Sequence, residues 1–135
     1  MKRRDRIVAA ARALVGAPFR LHGRSAETGV DCLGMVVLAL AKAGHCGLHR
    51  AVPDAYSVRG GSLGAFAEVF HALGLRRVRK HRPGDLMLVK AGVAQFHLMI
   101  VTDSGHVHAH AGLGHVVEMP GASPWPVIGR WRWGR

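Results

Sequence analysis

The stretch HRPGDLMLVKAGVAQFHLMIVTDSGHVHAHAGLGHVVEM, residues 81–119, is a succession of short apolar and β-branched runs cut by glycine, proline, serine and aspartate. LMLVKA (86–91), FHLMIVTD (96–103), HVHAHA (106–111) and GHVVEM (114–119) each have the length of a strand, and VIGRWRW (127–133) adds a fifth. The turns between them are short, so the strands run antiparallel. Upstream the period changes. Ile7, Ala11, Leu14 and Val15 recur at helical spacing and predict a first helix over about residues 4–15, ending at GAP. A second is predicted over about 32–44, stopped by Gly44, and a third over about 62–74, opened by Ser62 and closed by Gly74. Three helices followed by an antiparallel sheet of about five strands make an α+β fold, in one domain spanning residues 1–135. Two long connections, 16–31 and 45–61, are left over, and long loops in a compact domain usually carry function.

The chain has 135 residues, 49% of them hydrophobic, which is enough for one core without covalent staples. It carries 19 Lys and Arg against 8 Asp and Glu, a formal charge of +11, so long-range attraction favours an anionic partner. Nucleic acid is a poor match, because aromatic residues are only 6% and none is interleaved with a basic run to form a stacking platform. The opening MKRRDRIVAAARALVGAPF imitates a secretion leader, but Arg12 interrupts the apolar segment. It reads as a helix of the mature domain, in a protein made in the cytoplasm. No run approaches the roughly 18 to 20 apolar residues that span a bilayer. GGSLGAF (60–66) lacks the lysine and hydroxyl residue of a phosphate loop.

Chemistry concentrates at GVDCLGMVVLALAKAG, residues 29–44. Asp31 is a good N-cap, which makes Cys32 the first residue of the second helix, beside free N–H groups and the positive end of the dipole. That position is expected to lower the thiol pKa. The other cysteine, Cys46, lies beyond the far end of the same helix, roughly 18 Å away at about 1.5 Å per residue, too far for a disulfide. Gly34, inside the helix, implies close packing or the approach of a ligand. A base is available downstream. His97 opens the doubly apolar run HLMIV, as a central strand would carry one polar group to its rim. The next strand, HVHAH, can run back antiparallel and set a second imidazole beside it, completing a nucleophile, base and orienting residue. His106, His108 and His110 alternate, so all three project from one face and leave a zinc or nickel site open as an alternative. Trp131 and Trp133 share one face of the last strand with Arg130 and Arg132 on the other, the pattern of a half-buried strand.

GVDCLGMV resembles the D-C-S-G-L-V or D-C-L-G-L-V segment of the NlpC-type cell-wall peptidases, and PGDLMLV with HLMIVTDSGHVHA resembles their P-G-D-L strand and paired histidine strands. RIVAAARALVGAPFRLHG is similar to the family's opening helix and G-x-P-Y-x-x-G loop. The tail VVEMPGASPWPVIGRWRW resembles the branch associated with phage tails and gene-transfer agents. The resemblance implies a papain-like fold that cuts amide bonds in peptidoglycan stem peptides, commonly between D-glutamate and diaminopimelate. It implies Cys32 as nucleophile, His97 as general base and acid and His108 as the orienting third residue. No metal or other cofactor is required. Its partners would be the peptidoglycan stems and a phage-tail-like assembly, and its place of action the cell wall. Two positions depart from the pattern. Phe19 stands where the family often has Tyr, so a substrate-side hydrogen bond would fall to His22 or Tyr56, with Asp31 at the same end of the cleft; Leu33 replaces a frequent Ser. A His/Cys metal-binding domain and a non-catalytic wall-binding module derived from the peptidase are the other readings.

Overall fold

The computed structural model describes residues 1–46, 63–93 and 95–134. Helix α1 spans Arg3–Ala13, α2 Cys32–Lys42 and α3 Leu63–Ala72. Between α1 and α2 lie two-residue strands, β1 (Arg24–Ser25) and β2 (Gly29–Val30), paired antiparallel. Six strands follow: β3 (Leu75–Arg77), β4 (Leu86–Gly92), β5 (Gln95–Val101), β6 (Gly105–His110), β7 (His115–Pro120) and β8 (Val127–Trp133). They form one antiparallel sheet in the order β3-β8-β4-β5-β6-β7.

The expected α+β order is present, with two differences. Each helix stops two residues short of its expected end, where α2 gives way to a turn at Ala43–Gly44 and α1 at Leu14. The sheet has six strands rather than five. The added strand, β3, is the arginine-rich LRR at the sheet edge, paired to β8 through Leu75↔Trp133 and Arg77↔Trp131. Only Leu75 of the three is buried, so no alternation announces the strand. Ser62, expected to open the third helix, lies outside the described residues.

The period-2 pattern divides the sheet into two faces. Leu86, Leu88, Leu98, Ile100, Val107, Ala109 and Trp131 pack beneath the helices with Ile7, Ala11, Leu33, Val36, Leu40, Phe66 and Phe70. The opposite face carries a smaller cluster of Met87, Val89, Met99 and Val101, partly covered by Trp125 and Val127. Trp131 is buried against Phe70, ring centroids 4.7 Å apart, as expected of a half-buried last strand.

The PGDL turn is fixed by charge as well as by shape. Asp85, 1% exposed, accepts two bonds from Arg132, each 2.8 Å, and one from the Arg82 N–H at 2.7 Å. Removing one member of a buried forked pair strands the other. Asp85→Ala should therefore lose about 3 kcal/mol in denaturant unfolding, and an unchanged midpoint would show that the pair carries no stability.

Candidate functional site

The second helix begins where β2 ends, and Asp31 is the joint. Its backbone is extended while its carboxylate accepts from the Gly34 N–H at 2.8 Å, an N-cap as the sequence suggested. The same carboxylate accepts from the His22 N–H at 2.9 Å and from Arg24 Nη1 at 3.3 Å. All these bonds pull the 20–24 loop onto the first turn of α2. Gly34 belongs to that contact: a Cβ there would run into the Gly23 carbonyl oxygen. The glycine thus serves close packing of loop on helix.

Cys32 lies at this junction, 6% exposed and free of any disulfide, while Cys46 is free and exposed. Burial pushes the Cys32 thiol up to about 12, and the Asp31 charge adds to the effect. Backbone N–H groups at Leu98, Leu33 and Cys32 itself favour the thiolate but do not outweigh desolvation. The expected lowering at the helix N-terminus is therefore reversed, because desolvation of the largely buried sulfur outweighs the N–H groups around it. The cysteine rests as a thiol.

His97 is brought to the same place by the sheet. β5 and β6 pair only at Ile100↔Val107 and Val101↔His106. Beyond those pairs the ladder stops, and the start of β5 and the end of β6 become the two walls of a cleft. It has a volume of about 230 Å³ and is lined by Cys32 and Asp31 from α2, Phe96 and His97 from β5, His110 from β6, and Trp125 from the loop before β8, among others. His108, fully buried, lies directly behind His97, with Nδ1 2.8 Å from His97 Nε2 and the rings nearly perpendicular.

Proton positions follow from the remaining partner. His108 Nε2 is 3.2 Å from Met119 Sδ, and a thioether can only accept, so Nε2 carries the His108 proton. Nδ1 of His108 then accepts, His97 Nε2–H donates, and His97 Nδ1 holds the free lone pair. The pair is an oriented base. Burial lowers the His97 pKa to about 4 and the His108 pKa to about 3, with neighbouring imidazoles lowering both further, so both are neutral at pH 7. Trp125 closes the pair edge-on, its ring centroid 5.6 Å from His97 and 5.7 Å from His108. Ser123 fixes that loop by bonding the Trp125 carbonyl and N–H.

A neutral thiol and a neutral imidazole therefore line one cleft. Alkylation of Cys32 by iodoacetamide should then rise about tenfold per pH unit from about pH 7 to about pH 9, without a plateau. A plateau across that range would reveal a preformed thiolate instead.

His106, His108 and His110 do share one face, with successive ring centroids 5.4 Å apart. Both nitrogens of His108 are engaged as described, and His110 Nδ1 accepts from the Leu113 N–H at 3.0 Å. Among the described residues no three His, Cys, Asp or Glu side chains converge as metal ligands.

Three solved structures are similar to this chain in fold over most of its length. The P60 domain of an antigen from M. avium subspecies paratuberculosis superposes with a TM-score of 0.65 at 19% identity, over 97% of this chain and 93% of that one. The NlpC/p60 domain of the peptidoglycan hydrolase SagA gives 0.61 at 19% identity, over 87% and 88%. The peptidoglycan hydrolase RipB from Mycobacterium tuberculosis gives 0.66 at 22% identity, over 98% of this chain and 65% of that one. The chain has the NlpC/P60 fold. No protein-family model and no curated protein matches it.

Within this NlpC/P60 fold the remaining sequence candidates separate. Phe19 lines the cleft, held by its N–H on the Gly114 carbonyl at 2.8 Å and by a bridge to Val30. Asp31 also lines it, but its carboxylate is occupied by the loop contacts above. His22 is exposed, at φ 61°, contributes its backbone N–H to Asp31, and is not part of the cleft wall. Tyr56 lies outside the described residues. Sequence reasoning missed Arg24, Met119 and Trp125. Of these, Trp125 left a signal: SPWPV places a bulky aromatic between two prolines, a rigid loop presenting one side chain.

Proposed function

We propose that the protein is a cysteine peptidase that hydrolyses amide bonds in the peptide stems of peptidoglycan, between D-glutamate and diaminopimelate. One observation carries the reading: a buried thiol at a helix N-terminus shares a cleft with a histidine whose far nitrogen is held by a second histidine. The likeness in fold to hydrolases described as acting on peptidoglycan supports the substrate. The basic charge of +11 suits an anionic wall polymer.

In this mechanism the Cys32 sulfur attacks the amide carbonyl carbon while its proton passes to His97 Nδ1. The resulting imidazolium is stabilised through Nε2–H by His108. Backbone N–H groups at Cys32 and Leu33 stabilise the oxyanion, a contribution of about 3 kcal/mol per donor in well-formed sites. Collapse breaks the C–N bond, and His97 returns the proton to the departing amine, leaving a thioester. Water, deprotonated by His97, then releases the acid and restores the thiol. Asp31 positions the first turn of α2, and Phe19 offers the substrate an apolar wall. Tyr56 is the candidate hydrogen-bonding residue at the substrate side, while His22 acts through its backbone N–H on Asp31. The tail resemblance supports delivery to the wall on a phage-tail-like assembly.

Digestion of purified peptidoglycan with mass analysis of the released fragments tests the reading. New free amino groups on diaminopimelate are expected. New glycan ends with intact stems would overturn it.

A further inference from the structure

A second cleft, of about 490 Å³, lies between the first turn of α1 and the end of β8 and shares no lining residue with the first. Arg3, Arg4, Arg6 and Arg132 line it, and no acidic residue does so among the described residues. Arg132 is neutralised by Asp85. The other three have no acidic partner among the described residues. Arg3 reaches the Trp133 carbonyl at 3.4 Å and Arg6 the carbonyls of Met1 and Ala43 at 2.7 and 3.3 Å, contacts that orient guanidinium groups without cancelling their charge. Arg4 is fixed from below: Gly84 packs so closely that a Cβ there would lie 2.9 Å from the Arg4 Cα. Arg3 and Arg6 are thus oriented by backbone carbonyls, and Arg4 is placed at the rim by its backbone with its side chain exposed.

The aromatic at this cleft decides what it fits. Trp133 is already covered by the Arg3 guanidinium, 4.0 Å from the ring centroid, and by the His45 ring at 4.7 Å. Both contacts compete with a nucleobase for the ring, which disfavours single-strand stacking here. Guanidinium forks match carboxylates with two parallel hydrogen bonds. We infer that this arginine cleft is a second, non-catalytic binding site for the carboxylate groups of peptidoglycan strands, holding the polymer while the cysteine cleft acts on a stem. The choice of polymer rests on the proposed function; the choice of an anionic, non-stacking ligand rests on the cleft.

The test is co-sedimentation with purified insoluble peptidoglycan at low ionic strength, in a Cys32→Ala background so that the polymer stays intact. Arg4→Glu with Arg6→Glu should reduce the bound fraction by about tenfold. Acidic residues suit the first turn of a helix, so the double variant should fold, which circular dichroism and the melting temperature verify. With Cys32 restored, the same double variant should cleave a short soluble stem peptide at the unaltered rate. Undiminished sedimentation of the folded double variant would overturn the site. So would double-stranded DNA displacing the protein from peptidoglycan at equal charge concentration, because the ligand class would then be wrong. If sedimentation depends on the arginines but the unsubstituted protein cleaves no stem peptide, the cleft stands and the peptidase reading falls.

Discussion

Cys32→Ala should lower turnover of a soluble stem peptide by about 10⁴-fold or more while leaving the fold intact. The sulfur is the only nucleophile in the cleft walls described, and no neighbouring group can replace its lone pair. Structurally the change is small. Alanine is the best helix former and the Asp31 cap, Gly34 contact and Arg24 pair do not involve the sulfur. Loss of a buried sulfur from a site 6% exposed should cost stability by about 1 kcal/mol. Unfolding of the variant would mean that Cys32 is a core residue first. Cys46→Ser is the matching control, since Cys46 is exposed and, among the described residues, bonds only to the Gly44 carbonyl. Its turnover should be unchanged.

The histidines should separate in a graded way. His97→Ala removes the proposed base that lines the cleft with Cys32 and should be as inactive as the cysteine variant. His108→Ala leaves the base present but lets its ring turn and its tautomer redistribute, so about 10² to 10³-fold of turnover should be lost. His108→Asn should recover part of that loss, because an amide oxygen can again accept from His97 Nε2–H. His106→Ala and His110→Ala should each keep most activity, since neither ring bonds to His97. The single-turnover rates of the five variants read this order directly. Equal collapse of all three alternating histidine variants, with protection by added zinc, would favour a metal site instead.

The features that could be read from the sequence were those with a local cause. The Asp31 cap, the strand alternation that aligns His106, His108 and His110, and the turn at DSG all depend on residues within one element or one hairpin. That a histidine of β6 would face His97 was accessible because a hairpin brings the two strands together, whereas the choice of His108 came from the family resemblance and the 2.8 Å contact depends on where the β5–β6 ladder stops. What could not be read depends on distant packing. The Cys32 thiol rises rather than falls because the tertiary packing around the start of α2 desolvates it, a burial no window around residue 32 reveals. Trp125 and Met119 come from separate segments and meet only around His108. The two-residue strands β1 and β2 are too short to show any period.

The most direct test of the account is covalent capture by a chloromethyl ketone built on the stem peptide, followed by intact mass and peptide mapping. One adduct should form on Cys32, none on Cys46, none in Cys32→Ala, and markedly more slowly in His97→Ala. Equal labelling of both cysteines, or stem cleavage that continues with Cys32 unlabelled, would contradict it.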